Sequence, residues 1–319
     1  MRTRKPLLHD CLIRIVPGVP DSAETFMARE VASQPEAWRT AARQAAPEMA
    51  KVLTTAGPLA VVGCGTSWFV AQAVAALRES AGYGATDAYT ATEARVGRDY
   101  PELLVLSRSG TTTEVNELLG RRPPDTRTTA VVAVADTPIA RAADDVIVLD
   151  YADEDSVVQT RFATSVVAAA RAALGHDIEP LAQSAAAALT SALPPAALDA
   201  RQTVFLGHGW SIGLAHEAAL KLREAAQLWS ESYPAMEYRH GPIALAEPGT
   251  LVWIFGDAPE GLAAEVEATG AAVVNDALDP MVDLVRVHRL ALGRAISLGL
   301  DPDRPRNLTR SVVLNRSAS

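Results

Sequence analysis

Two α/β units in tandem, each a mainly parallel and doubly wound sheet, are the fold class that this 319-residue sequence predicts. Three observations carry that reading. Short apolar runs alternate with helical segments; the chain is 49% hydrophobic but only 5% aromatic, with the excess in Ala, Val and Leu; and one strand–turn–helix stretch recurs about 140 positions later. Helices laid on sheets have this composition, whereas all-β sandwiches and disordered chains do not.

Residues 23–50 read as helical, with a break at Pro35. Residues 59–62 are a strand-sized apolar run, followed by Gly63-Cys64-Gly65-Thr66-Ser67 and a helix over 68–80. Strands follow at 102–106, 129–134 and 145–149, the first of them leading into Ser107-Arg108-Ser109-Gly110-Thr111-Thr112 and another helix. A helix over 162–174 closes the first unit. Residues 176–198 read as a linker helix ending at Pro194-Pro195, and a second series begins at 203–206. The domains expected are therefore an N-terminal arm with helices (1–50), a first unit (51–175), a linker helix (176–200) and a second unit with a C-terminal tail (201–319).

The recurrence is VVGCGTSWFVAQAVAALRE (61–79) against VFLGHGWSIGLAHEAALKLRE (204–224), which share strand, Gly-x-Gly turn, helix and a Leu-Arg-Glu ending. A domain-sized period points to duplication and not to a solenoid. The copies then diverge. The next strand of the first unit ends in SRSGTT, whereas the run over 251–255 ends in Gly256-Asp257, whose carboxylate repels a phosphate. One phosphate site per chain, in the first unit, is the expectation.

Composition narrows the partners. Net charge is -9 with no Lys/Arg block, which argues against a nucleic-acid surface. No apolar run approaches membrane-spanning length, and the basic start, MRTRKPLLHDCLIRIVPGVP, lacks the apolar core and cleavage site of a signal peptide. The only cysteines are Cys11 in that arm and Cys64 in the glycine loop, so no structural disulfide is expected and the reducing cytoplasm is the natural compartment. The six histidines are scattered without HxxxH or CxxC spacing, so neither a metal nor another cofactor is expected.

Two places carry chemistry. Residues 107–112 follow a strand and open a helix, so small hydroxyl side chains, one glycine and the positive helix end converge as an anion cradle. The plain alternative is an N-cap with a Thr111–Glu114 capping box. Farther on, Glu217, Lys221 and Glu224 stand at i, i+4 and i+7 on one helix face. Exposed, they are a salt-bridge stripe; buried, a carboxylate beside a lysine can be tuned to move a carbon-bound proton. His240-Gly241-Pro242 is a tight turn able to present an imidazole.

At these residues the sequence resembles the sugar isomerase (SIS) domain family, nearest to the double-SIS isomerase half of glucosamine-6-phosphate synthase and its stand-alone relatives. The resemblance runs from FMAREVASQPEAW (26–38) to DRPRNLTRSV (303–312), through GCGTS (63–67), LSRSGTT (106–112), EDSVVQTR (154–161), HEAALKLRE (216–224), ESYPAMEYRHGP (231–242) and PRNL (305–308). It implies flavodoxin-like units, a homodimer, and sugar phosphates isomerised or deaminated without nucleotide. It also implies roles: phosphate on Ser107, Arg108, Ser109 and Thr112 with Ser67 nearby, and sugar along 154–161 with Val157. Glu224 would be the general base, Glu217 and Lys221 its support, and His240 the ring-opening group, in the synthase reaching in from the partner subunit.

Two departures shape the expected function. No glutamine-hydrolysing domain precedes the pair, so glutamine-dependent amidotransfer is not expected. After PRNL the synthases carry a Schiff-base lysine, but here Thr309-Arg310 follows, and a guanidinium forms no such imine. Arg310 instead suits a phosphate or an oxyanion. What survives is carbanion chemistry at C2 of a small-molecule sugar phosphate. The expected activity is an amino-sugar-phosphate isomerase or deaminase acting on glucosamine 6-phosphate or an analogue. The alternatives are a lyase dehydrating an N-acetylated amino-sugar phosphate and a non-catalytic sugar-phosphate sensor.

Overall fold

The computed structural model describes residues 25–95 and 97–314, so the leading arm and Cys11 lie outside the described residues. Two all-parallel sheets form. The first contains β1 (Leu59–Gly63), β2 (Thr86–Thr90), β3 (Glu102–Ser107), β4 (Arg127–Val132) and β5 (Asp145–Val148) in the order β2-β1-β3-β4-β5. The second contains β6 (Gln202–Gly207), β7 (Ser230–Pro234), β8 (Thr250–Ile254) and β9 (Ala272–Val274) in the order β7-β6-β8-β9. The first order is the flavodoxin-like one, and its switch point, where ligands bind in such sheets, falls between the carboxyl ends of β1 and β3. The loops at 63–67 and 107–112 meet there.

Eleven helices are described: α1 (Phe26–Gln44), α2 (Ala46–Leu53), α3 (Thr66–Ser80), α4 (Thr113–Arg121), α5 (Pro138–Ala142), α6 (Arg161–Ala173), α7 (Glu179–Ala188), α8 (Pro195–Asp199), α9 (Ser211–Ala226), α10 (Leu262–Glu267) and α11 (Pro280–Ser297). Alternate strand residues face opposite layers. Leu59, Val61, Leu104, Leu106 and Val131 of the first sheet join Phe205, Leu251, Trp253 and the helices α1, α3, α6, α9 and α11 in one central core. Ala60, Val62, Leu103, Val105, Ala130 and Val132 face α4 and α5 on the outside, and Val204, Leu206, Val252 and Ile254 form the matching outer cluster of the second sheet. The main core thus runs through both units and is not divided between them.

The recurrence of sequence is a recurrence of structure. Both Gly-x-Gly turns place their second glycine in the left-handed region, Gly65 at φ 56° and Gly209 at φ 54°, and each opens a helix. These two helices, α3 and α9, pack against each other across the centre. Their approach is close enough that a Cβ on Gly213 would stand 2.4 Å from the Phe69 carbonyl oxygen.

Three expectations are corrected. Pro35 sits inside α1, and the chain breaks instead at Ala45, before α2. Proline withholds the amide that the Val31 carbonyl should receive, and the buried Gln34 Nε2 takes that place at 3.3 Å. Gln34 also accepts from Thr164 Oγ1 at 2.9 Å, and its Nε2 lies 3.1 Å from His288 Nδ1, so the proline is held in a buried polar network. Strands β2 and β7 follow the two repeat helices directly and have no apolar run to announce them; each is an edge strand with one neighbour and mostly half-buried residues. The stretch read as a linker helix is two helices, α7 and α8, and α7 packs on α1 and α11. The plain alternative for residues 107–112, a capping box at Thr111–Glu114, does not form: Thr112 is the N-cap of α4 and its side chain makes no capping bond.

Gly213→Ala should lower the unfolding free energy by about 1–3 kcal/mol in urea titrations, because the added methyl drives α3 and α9 apart. A change below about 0.5 kcal/mol would mean the crossing is not limited by that contact.

Candidate active site

The loop after β3 is held open by its own glycine. Gly110 has φ 65°, and a Cβ there would stand 2.1 Å from Thr137 Oγ1, so no larger residue fits without moving the start of α5. Its amide donates to Ser107 Oγ at 3.2 Å and its carbonyl accepts from Ile139. Ser107 is buried, whereas Ser109, Thr111 and Thr112 are half-buried and accessible at the N-terminus of α4. Ser67 lies buried in the first turn of α3, at the end of β1 on the other side of the switch point.

Arg108 is placed otherwise than the motif implies. It is 2% exposed, and its guanidinium donates to the carbonyls of Ser156 (3.0 Å), Val157 (3.2 Å) and Arg310 (3.0 Å). Glu154, also buried, faces it at 3.6 Å. Burial pushes the Arg108 guanidinium below its ordinary value, and Glu154 works against that. With these bonds made, the side chain ties the loop to its neighbours and does not project toward a ligand. Glu154 is in turn fixed by the amides of Thr160 and Arg161 and by the Thr160 hydroxyl. Val157 is half-buried and gives its amide to the Asp303 carbonyl.

Glu217, Lys221 and Glu224 do share one face of α9, and the face is buried and not solvated. Lys221 Nζ lies 3.4 Å from Glu217 Oε1, 2.5 Å from Glu224 Oε2 and 3.1 Å from Thr66 Oγ1. Lys221 and Glu217 have no exposed side-chain surface, while the Glu224 side chain is 20% exposed. Glu224 is therefore the member a substrate can reach. Burial lifts Glu217 to about 7, against the pull of Lys221. Lys221 loses solvation, but Glu217 and Glu224 together more than offset that and raise it. The expectation of a buried, tuned carboxylate thus attaches to Glu217.

Glu224 opens onto a cleft of about 500 Å³ walled by Leu220, Leu228, Trp229 and Leu308, with Arg306 and Asn307 at its edge. Those last residues begin the C-terminal segment, which continues across the loop after β3. Arg310 pairs with Asp153, so its guanidinium is drawn toward the 154–161 segment. Asp303, farther back, caps α1 through the amides of Phe26 and Met27, both at 2.8 Å. His240 is not brought to this cluster. It is exposed at the end of a 3₁₀ turn (Ala235–His240) beyond β7, and it does not line the cleft.

Sequence reasoning missed several participants. Thr66 of the first unit accepts the hydrogen bond that Lys221 donates, Asp153 holds Arg310, Trp229 walls the cleft, and Ser311 accepts from the Ser109 and Thr111 hydroxyls. Thr66 lay within a motif already recognised; the others are defined only by contacts between segments far apart in sequence.

No protein-family model matches the chain. A glutamine–fructose-6-phosphate aminotransferase (isomerizing) of Pyrobaculum aerophilum is 28% identical over 91% of this chain, which spans 57% of that relative's length. Among solved structures, a glucosamine-6-phosphate deaminase of Thermotoga maritima superposes with a TM-score of 0.76 at 24% identity, covering 91% of this chain and all of its own. The C-terminal domain of glucosamine-fructose-6-phosphate aminotransferase from Francisella tularensis superposes with a TM-score of 0.73 at 22% identity, over 88% of this chain and 98% of that one. The homologues of this chain are thus the isomerase (SIS) portion of glutamine–fructose-6-phosphate aminotransferases, and its structural neighbours are SIS phosphosugar isomerases and a glucosamine-6-phosphate deaminase.

Proposed function

We propose that the chain isomerises or deaminates an amino-sugar phosphate, glucosamine 6-phosphate or a close analogue, by removing the C2 proton. The observation that carries this reading is the partly exposed Glu224 carboxylate, gripped by a buried lysine and opening onto a cleft. A sensor needs no proton shuttle, and the Glu224–Lys221 pair facing a cleft therefore weighs against one. The names of the relatives point to the same substrate class.

In this reading Ser107, Ser109, Thr112 and Ser67 hold the phosphate at the switch point. Lys221 fixes one oxygen of Glu224, and Glu224 takes the proton from C2 of the open aldose. Return of the proton to C1 converts the enolamine to a ketose imine; water adds there, ammonia leaves, and a ketose phosphate remains. Ring opening belongs to His240, and because His240 stands apart from Glu224 in its own chain, the group comes from a second copy in a homodimer. Arg310, held by Asp153, takes no part in covalent capture. That same absence of a Schiff base favours the second reading, loss of the C3 hydroxyl from an N-acetylated amino-sugar phosphate.

In heavy water, glucosamine 6-phosphate should lose its C2 proton and yield ketose and ammonia by NMR, whereas a vinylic signal from N-acetylglucosamine 6-phosphate would replace deamination by dehydration. Glu224→Gln should abolish the exchange while sugar-phosphate binding stays within about tenfold; unchanged turnover would remove Glu224 as the base. Borohydride added with fructose 6-phosphate should leave the protein's mass unchanged, and an adduct on any residue of the cleft would overturn non-covalent turnover. The folded chain keeps a proton on Glu217 that the unfolded chain has released, so this group's contribution to stability falls as pH rises from about 4.5 to about 7. Glu217→Gln should therefore shrink the loss of unfolding free energy between about pH 5 and about pH 7.5 by roughly 1–3 kcal/mol, measured in urea. An unaltered slope would mean that Glu217 is ionised throughout.

A further inference from the structure

We propose that residues 311–314 form an autoinhibitory strap: they occupy the loop after β3 in place of a phosphate, and a phosphorylated ligand binds by displacing them. The inference rests on residues 107–112 being the phosphate loop, and goes beyond it by naming what controls access to that loop.

The donors that such a loop offers an anion are small hydroxyls and the first amides of the helix that follows. The C-terminal segment has taken several of them. Ser311 Oγ accepts from Ser109 Oγ at 3.0 Å and from Thr111 Oγ1 at 2.9 Å. The Val312 carbonyl accepts from the amide of Thr113, the first residue of α4, at 3.1 Å. A hydroxyl has one proton, so Ser109 cannot give it both to Ser311 and to a phosphate oxygen. Ser311 Oγ and the Val312 carbonyl thus stand as neutral oxygens where an anion would bring charged ones.

The strap is tied firmly at one end. The buried Arg108 guanidinium holds the Arg310 carbonyl at 3.0 Å, and the Arg310 side chain pairs with Asp153. Beyond Arg310 the segment meets the loop through the bonds above and one from the Leu314 amide to Thr113 Oγ1 at 2.9 Å. Val312, Val313 and Leu314 are 50%, 60% and 47% exposed, so lifting them from the loop uncovers little apolar surface. Hydrogen bonds to a charged oxygen are roughly twice as strong as those between neutral groups, and on that ground phosphate displaces the strap. The apparent affinity is lowered by the fraction of molecules in which the strap is down. Arg108, assigned to the cradle by its motif, anchors the segment that covers it.

Two measurements on the full chain test this. In the first, inorganic phosphate and, separately, glucosamine 6-phosphate are titrated into wild type, Ser311→Ala and Ser311→Asp, with urea unfolding of each to show that it is folded. Ser311→Ala should lower the Kd for both probes about three- to tenfold, whereas Ser311→Asp, which puts a carboxylate in the cradle, should raise it at least about tenfold. In the second, hydrogen exchange of wild type is followed by mass spectrometry, and saturating phosphate should speed exchange in the peptide covering 311–314. A Kd that Ser311→Ala raises or leaves unmoved would overturn the proposal, and so would an Asp variant that binds as well as wild type. Exchange of that peptide slowed or unaltered by phosphate would do the same, as would failure of both wild type and Ser311→Ala to bind either probe. Strap release by phosphate without loss of the C2 proton would leave this inference standing and remove the proposed reaction; C2 exchange in a chain whose strap stays protected would do the reverse.

Discussion

The ammonium of Lys221, wholly withdrawn from water, is the constraint around which the two units are arranged. Stripping a charge of solvent costs several kcal/mol unless opposite charges and hydrogen bonds replace it. Here the replacements come from both halves of the chain: the Glu224 carboxylate and the Glu217 carboxyl group from its own helix, and the Thr66 hydroxyl from the glycine loop of the first unit. The contact requires α3 and α9 to cross closely, which the bare Gly213 permits. It also joins the two candidate chemical groups, because Thr66 precedes Ser67 at the switch point and Lys221 grips Glu224 at the cleft.

A second set of charges closes the site from the C-terminal side. Asp303 caps α1, Arg310 pairs with Asp153, and the buried Arg108 holds the Arg310 carbonyl while facing Glu154. The segment that walls the cleft with Leu308 therefore continues, held by these partners, onto the loop after β3. Arginine suits such a post because its planar fork can serve several carbonyls at once and keeps its charge when buried. The loop after β3 and the charged face of α9, which belong to different units, are in this way both met by the C-terminal segment.

Much of this was legible in advance where the signal is local. Strands buried on both faces announced themselves as apolar runs, so β1, β3, β4, β6 and β8 were found, while β2 and β7, half-buried at sheet edges, carried no such run. Proline normally ends a helix, but Gln34 supplied the missing donor and moved the break to Ala45. The helical spacing of Glu217, Lys221 and Glu224 put them on one face correctly. It said nothing of their unequal burial, which separates the reachable Glu224 from the sealed Glu217. For Arg108 the motif and the packing part ways, since a side chain's direction depends on which carbonyls lie near it.

Sequence by itself determined the duplicated α/β plan, the two glycine turns, the hydroxyl-rich loop after β3 and the charged face of α9, because each depends on residues within one or two turns of chain. Tertiary structure alone decided that a single core runs through both units, that Arg108 clasps the C-terminal segment, that Ser311 reaches Ser109, and that His240 stands away from Glu224. Those outcomes hang on hydrogen bonds and burial between residues up to about two hundred positions apart. No local pattern encodes such distances; they are settled only when the sheets have packed and each buried charge has found the group that compensates it.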